Sequence, residues 1–97
     1  MKSYSLEIER AALKDMKSFP RPLRELTLEH FDLLVENPFR GQPLVGVLSH
    51  LRSYHFRYKG TQYRIAYILY PEQELILVIM VGPRESFYKL LRRRLGM

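Results

Sequence analysis

The chain has 97 residues, of which 46% are apolar and 27% are charged. This predicts one globular domain over residues 1–97 and excludes a disordered chain or a two-domain enzyme. The absence of cysteine excludes disulfides, thiolate metal sites and cysteine nucleophiles. No apolar run is long enough for a membrane span, and residues 1–9 lack the apolar region of a signal peptide. We therefore expect a cytoplasmic protein with no membrane partner.

The net charge of +6 comes entirely from the second half of the chain. Residues 1–50 carry seven basic and seven acidic side chains, whereas residues 51–97 carry nine basic and three acidic ones. Segregated positive charge, most of it arginine, indicates a polyanionic partner. Solubility is the alternative explanation, although it would not require the charge to be segregated.

The first half of the chain predicts one strand and two helices. Residues 3–9 alternate between apolar and polar side chains, which is typical of a strand with one buried face. Residues 11–17 favour a short helix that the following prolines must end. A second helix is predicted from Pro22 to the Asn37-Pro38 step, because its apolar side chains recur on one stripe.

The second half predicts a sheet followed by a helix. Residues 38–50 read as an ordered connection without a regular element. Three strand-like segments follow, namely Arg52–Lys59, Gln62–Tyr70 and Leu75–Val81. The last segment is apolar on both faces, which predicts a central strand, and Pro83 is expected to open a final helix. The order β-α-α-β-β-β-α predicts an α+β fold, an antiparallel sheet with the two N-terminal helices on one face and a C-terminal helix.

The predicted hairpin around Gly60-Thr61 concentrates positive charge. If these two residues form the turn, Arg57 lies directly opposite Arg64, and His55 and Lys59 share their face. Like charges facing each other destabilise a sheet, whereas a bound phosphate would reverse the sign. This register depends on the turn length, since a different loop would shift it.

A second candidate cluster follows the central strand. Gly82-Pro83-Arg84 ends the strand, and Tyr88 comes one helical turn later. A helix N-terminus presents free N–H groups and the positive end of a dipole, which favour a phosphate. We expect the two clusters to act together only if strand pairing brings them to one end of the sheet.

These segments carry a family resemblance. The sequence resembles the RelE/ParE toxin superfamily over nearly its whole length, in residues 60–67, Val81–Arg84, Tyr88, Asn37-Pro38 and Pro43-Leu44. The resemblance implies a RelE-like toxin domain with the element order given above. RelE-type members are toxins of type II toxin-antitoxin systems that inhibit translation. They are ribosome-dependent endoribonucleases that cut messenger RNA in the A site, and a cognate antitoxin holds each of them inactive as a hetero-oligomer.

The resemblance also implies roles for individual residues. Arg64 would contact the scissile phosphate, Arg84 would stabilise the transition state or the leaving oxygen, and Tyr88 would stack on a base or help to activate the 2′-hydroxyl. His55 lies on a strand where family members place basic residues, commonly lysines. The expected RNA-binding residues are Arg52, Arg57, Lys59, Lys89, Arg92 and Arg93.

This chain has histidine and arginine, His55 and Arg57, on the strand where family members commonly place lysines, and this difference affects the predicted mechanism. An arginine stays protonated throughout the physiological pH range and cannot shuttle a proton, whereas histidine and tyrosine can. We therefore expect His55 or Tyr88 to remove the 2′-hydroxyl proton while Arg64 and Arg84 compensate the developing charge. No metal-ligand pattern occurs in the sequence, so neither a metal nor another cofactor is predicted, and a chelator should not abolish cleavage.

Less specific interpretations remain for each feature. Arg64 could be a surface residue, Tyr88 a residue at the edge of the core, and His55 an ordinary exposed histidine. Two other functions also remain, a ParE-like inhibitor of DNA gyrase and an RNA-binding fold-mate without activity. The short, proline-interrupted helical hairpin favours the RelE type, because ParE members usually carry longer helices.

Overall fold

The first half of the chain forms the predicted strand and helices. The computed structural model describes residues 4–97; residues 1–3, where the first predicted strand begins, lie outside the described part. Strand β1 spans Ser5–Ile8, helix α1 spans Arg10–Lys17 and helix α2 spans Arg21–Glu36. The expected apolar stripe of α2 is buried at three of its positions, Leu23, Phe31 and Leu34.

The connection after α2 contains a strand that the sequence did not predict. Strand β2 has only two residues, Gln42–Pro43, and pairs antiparallel with the start of strand β3, Arg52–Tyr58. Short 3-10 turns at Pro38–Arg40 and Gly46–Leu48 flank it. A two-residue strand is too short to leave an alternating pattern, which explains why sequence periodicity misses it.

The remaining elements complete a five-stranded sheet and a last helix. Strand β4 spans Thr61–Tyr70, β5 spans Leu75–Pro83 and helix α3 spans Phe87–Arg94. The strand order is β1-β5-β4-β3-β2, with β1 parallel to β5 and every other pair antiparallel. Strand β5 is paired on both sides, which confirms the prediction of an interior strand.

The sheet separates two apolar layers. On one face α1 and α2 pack against side chains that include Phe56, Ile65 and Tyr67. On the other face α3 packs through Phe87 and Leu91. This arrangement confirms the predicted α+β fold, with the C-terminal helix on the opposite face from the two N-terminal ones. Within residues 4–97, no helix has the length and apolar character needed to cross a membrane.

Candidate nucleic-acid interface

The β3–β4 turn is Lys59-Gly60, one residue earlier than the sequence predicts. Both residues have a positive φ, 49° for Lys59 and 79° for Gly60. Two consecutive left-handed residues form the type I′ turn whose twist matches the flanking strands. Tyr58 and Thr61 therefore become the first pair of the ladder.

This turn changes the cross-strand partners. His55 lies opposite Arg64, and Arg57 lies opposite Gln62. The predicted pairing of Arg57 with Arg64 is therefore wrong, because the turn lies one residue nearer the N-terminus and the register moves by two. A shift of two residues preserves the face on which a side chain lies, so His55, Arg57 and Arg64 still share one face.

The predicted start of the last helix is also wrong. Strand β5 continues through Pro83, and the Arg84 N–H donates to the Gln62 carbonyl oxygen at 2.8 Å. This hydrogen bond extends the β4–β5 ladder, so Arg84 belongs to the end of the sheet and not to a helix N-terminus. Ser86 then adopts a left-handed conformation with φ 58°, and α3 begins at Phe87.

Strand pairing nevertheless brings the two predicted clusters together. Arg64 lies opposite Gly82, and Arg84 continues the same ladder beside Gln62. A cleft of about 630 Å³ separates the β3–β4 turn from the segment after β5, and Gln62, Arg84 and Glu85 contribute to its lining. Strand pairing thus meets the condition set by the sequence, because it places both clusters at one end of the sheet.

Tyr88 lies over Arg64. The Arg64 guanidinium carbon is 4.8 Å from the centre of the Tyr88 ring, which is a cation–π contact. The Tyr88 hydroxyl donates to Ser53 Oγ at 3.4 Å, and Arg64 Nη2 donates to Gln62 Oε1 at 3.2 Å. Arg64 Nε is buried and has no hydrogen-bond acceptor among residues 4–97. A buried donor without an acceptor is uncommon in folded proteins.

The surroundings of His55 on this face lower the pKa of its imidazole. Partial burial lowers the pKa of His55, and the positive charge of Arg64 lowers it further. The imidazole is therefore neutral at pH 7 and can accept a proton. Its side chain is exposed, so a ligand on this face can reach it.

The other predicted RNA-binding residues divide into two groups. Exposed side chains near the cluster or on α3 are Arg57, Lys59, Lys89, Arg92 and Arg93. Arg52 lies on the opposite face, where its Nε donates to the Gly41 carbonyl oxygen at 3.0 Å and its guanidinium lies 5.2 Å from the Phe39 ring centre. The structure thus does not bring Arg52 to the face that carries His55 and Arg64.

Two neutral residues of this face were missed by sequence reasoning. Ser53 and Gln62 contact Tyr88 and Arg64, respectively. Strand alternation puts both on the face of His55, but uncharged polar residues give no chemical signal in a sequence.

Residues 37–71, which include β2, β3 and β4, contain no aspartate or glutamate, so no acidic side chain within these strands offsets their basic residues. Among the residues that the structure describes, no three potential metal-ligating side chains gather.

Comparisons with known proteins bear on the identity of this fold. The sequence profile of the ParE-like toxins of type II bacterial toxin-antitoxin systems matches residues 6–92. The toxin-antitoxin complex RelBE2 from Mycobacterium tuberculosis is 25% identical with a TM-score of 0.75, and the match covers 86% of this chain and 100% of that one. The archaeal RelE-RelB complex from Pyrococcus horikoshii is 25% identical with a TM-score of 0.65, covering 87% and 98%.

A third structure supports the fold alone. A mutant of Escherichia coli toxin RelE in the free state is 23% identical with a TM-score of 0.75, covering 96% of this chain and 98% of that one. A comparison with curated proteins gives no significant match.

Proposed function

Because the chain belongs to the ParE-like toxin family of type II bacterial toxin-antitoxin systems, we propose that it is a RelE-type endoribonuclease that cuts messenger RNA in the ribosomal A site. The observation that carries this proposal is the juxtaposition of His55, Arg64, Arg84 and Tyr88 at one end of the sheet. The group combines a proton acceptor, cations for a phosphate and an aromatic ring for a base.

Phosphate binding is assigned to the arginines. Arg64 retains an Nε donor that finds no acceptor among residues 4–97, and Arg84 is exposed beside the cleft. Guanidinium groups bind phosphate oxygens through paired hydrogen bonds and keep their charge throughout a reaction. These two residues therefore compensate the negative charge that develops on the phosphate in the transition state.

Proton removal is assigned to His55. Its pKa is lowered by burial and by Arg64, so the neutral form that acts as a base predominates at neutral pH. Tyr88 is the second candidate base, but its hydroxyl carries a proton that it donates to Ser53 Oγ. We assign Tyr88 instead to stacking on a nucleobase, since its ring already takes part in a cation–π contact with Arg64.

The reaction that follows needs the groups on this face and water. His55 takes the proton of the ribose 2′-hydroxyl, and the 2′-oxygen attacks the adjacent phosphorus. The bond from phosphorus to the 5′-oxygen breaks, the leaving oxygen takes up a proton from water, and His55 then returns its own proton to the solvent. The products are a 2′,3′-cyclic phosphate and a 5′-hydroxyl.

We propose two kinds of macromolecular partner. The similar structures from Mycobacterium tuberculosis and Pyrococcus horikoshii are toxin-antitoxin and RelE-RelB complexes. By analogy, a cognate antitoxin binds this chain and forms a hetero-oligomer with it. The ribosome with its messenger RNA is the second partner, and the exposed cations Lys89, Arg92 and Arg93 on α3 provide contacts to ribosomal RNA.

Inhibition of DNA gyrase is the second candidate function. It is favoured by the matching family profile, which carries the ParE name. A gyrase inhibitor acts by binding, so it would not require the proton acceptor and the two arginines to meet.

Brief expression from a tightly controlled promoter distinguishes these functions. The wild type is compared with Arg64→Ala, Arg84→Ala and, as a matched control, Arg10→Ala at an exposed position of α1. New RNA ends within translated messages, present in the wild type and the control but absent from the two site variants, are expected. Growth arrest with intact messages and altered DNA supercoiling would instead identify a gyrase inhibitor.

A further inference from the structure

Asp15 and Arg94 form a bidentate ion pair across 79 residues of sequence. Arg94 Nη1 lies 2.7 Å from Asp15 Oδ2, and Nη2 lies 2.8 Å from Oδ1. Paired hydrogen bonds of this length between a guanidinium and a carboxylate are strong and fix the relative orientation of both groups. The pair joins α1 to the last residue of α3.

The same two side chains also bind the backbone of β5. The Val81 N–H donates to Asp15 Oδ2 at 3.1 Å, and Arg94 Nη1 donates to the Ile79 carbonyl oxygen at 3.0 Å. The side chains are partly buried, with 27% of Arg94 and 17% of Asp15 exposed. This ion pair is therefore a three-way connection between α1, β5 and α3.

The sheet topology explains why this site needs a side-chain partner. Strand β1 pairs with β5 only as far as Val78, where the Glu9 N–H donates to the Val78 carbonyl oxygen. Beyond Val78, this edge of β5 has no neighbouring strand to pair with its backbone. Asp15 and Arg94 hydrogen-bond to backbone groups of this edge, so their charged side chains supply partners that a neighbouring strand would otherwise provide.

Helix α3 is attached to the sheet by apolar packing as well as by this ion pair. Its buried residues are Phe87 and Leu91, and Leu95, directly after the helix, packs against the same core cluster. No side chain caps its N-terminus, and the preceding Ser86 adopts a left-handed conformation. Arg94 adds a directional polar attachment at the C-terminal end of a helix that carries Tyr88 at its second position.

We propose that Asp15 and Arg94 are positioning residues that hold α3 so that the Tyr88 ring lies over Arg64. In this account Arg94 is not an RNA contact, although it continues the basic run of Arg92 and Arg93. The inference deepens the proposed function, because it rests on that function for the role of Tyr88 in RNA cleavage. The geometry of Tyr88 itself can be measured without RNA.

The two roles of Arg94 predict different kinetics. A positioning pair loses its effect when either partner is removed, so Asp15→Asn and Arg94→Gln should cause the same defect and the double variant no larger one. The defect should appear in the cleavage rate at saturating ribosomes, because a displaced Tyr88 affects the reacting geometry. An RNA contact would behave differently, since its loss weakens binding and the neutralisation of Asp15 would not.

The kinetic test measures single-turnover cleavage of ribosome-bound message. We expect Asp15→Asn, Arg94→Gln and the double variant each to lower the saturating rate about 10-fold to 100-fold with an unchanged half-saturating concentration. The matched control is Arg93→Gln, an exposed neighbour of equal charge, which should raise the half-saturating concentration only. If Arg94→Gln behaves like the control and Asp15→Asn is neutral, Arg94 is an RNA contact and the proposal is wrong.

A second readout separates this inference from the proposed function. In protein labelled with ¹³C in its tyrosine rings, the Tyr88 resonance is identified with Tyr88→Phe. We expect it to shift in Asp15→Asn and Arg94→Gln, less in Arg94→Lys, and not in Arg93→Gln. An unchanged resonance in Asp15→Asn and Arg94→Gln would overturn the positioning role even if cleavage were lost. If the Tyr88 resonance shifts in these variants as expected but the wild type cleaves no RNA, the proposed function is overturned instead.

Discussion

His55 lies directly opposite Arg64 in the ladder between β3 and β4. A neutral histidine is thereby held beside a permanent cation on the face that we assign to RNA. Partial burial is the larger cause of its lowered pKa, and Arg64 adds to the shift. In the proposed mechanism, the same arginine supplies charge for a phosphate and adds to the lowering of the pKa of the proposed base.

Removing the cation should raise the pKa of His55. We expect Arg64→Gln to move it part of the way towards the ordinary histidine value of about 6.5, because burial still lowers it. Titration of the histidine ring resonances by NMR measures this directly. His30, whose lowered pKa arises without a contribution from Arg64, serves as the internal control. An unchanged His55 titration would contradict the electrostatic coupling.

The β3–β4 register depends on the left-handed turn at Lys59-Gly60. Gly60→Ala should lower the free energy of unfolding by about 1 kcal/mol, because a side chain is strained at φ 79°. Lys59→Asn should raise it, since asparagine tolerates the left-handed region better than lysine. Urea denaturation measures both effects. If the turn were Gly60-Thr61 instead, Lys59→Asn would not stabilise the protein.

Tyr67 connects the sheet to the segment after α2. Its buried hydroxyl donates to the Pro38 carbonyl oxygen at 2.6 Å and accepts from the Gly41 N–H at 3.0 Å. Tyr67→Phe leaves both backbone groups unsatisfied, so we expect a loss of about 1–3 kcal/mol in unfolding free energy. The exposed Tyr70→Phe is the matched control and should change stability little.

The order of the elements could be predicted because each leaves a periodic pattern. The apolar stripe of α2 and the alternation in β3 depend on burial of one face, which the sequence records directly. The end of β5 could not be predicted in this way. Pro83 suits both the first turn of a helix and the last position of a strand, and only the hydrogen bond from Arg84 to Gln62 decides between them.

The candidate site was partly predictable for a similar reason. The face of His55, Arg57 and Arg64 follows from alternation, whereas their partners depend on a turn that could begin at either of two residues. The ion pair of Asp15 with Arg94 left no sequence signal, because its members are 79 residues apart and lie on different helices. Contacts of that separation are set by the packing of the whole chain.

His30 should make stability depend on pH. Its Nδ1 lies 2.7 Å from the Tyr54 hydroxyl oxygen, and burial lowers its pKa while Glu29 acts in the opposite direction. The unfolded chain therefore binds more protons below about pH 6.5 than the folded chain does. This contribution to the unfolding free energy is fully present above that pH and is lost as the pH falls through the folded pKa.

The lowered pKa of His55 likewise reduces the unfolding free energy as the pH falls. We expect a smaller unfolding free energy at pH 5.5 than at pH 7.5, and a smaller difference between the two in His30→Gln. Urea denaturation at both pH values measures this. His50→Gln, at an exposed position of the connection after α2, is the control. A difference that is unchanged in His30→Gln would contradict this role of His30.

The most direct test of the central claim uses purified protein and ribosomes carrying a labelled message. We predict that the wild type cuts ribosome-bound message and leaves a 2′,3′-cyclic phosphate. Arg64→Ala and Arg84→Ala should each cut about 100-fold to 1,000-fold more slowly, while Arg10→Ala matches the wild type. Message that stays intact on ribosomes saturated with the wild-type protein would contradict the assignment of this chain as a ribosome-dependent nuclease.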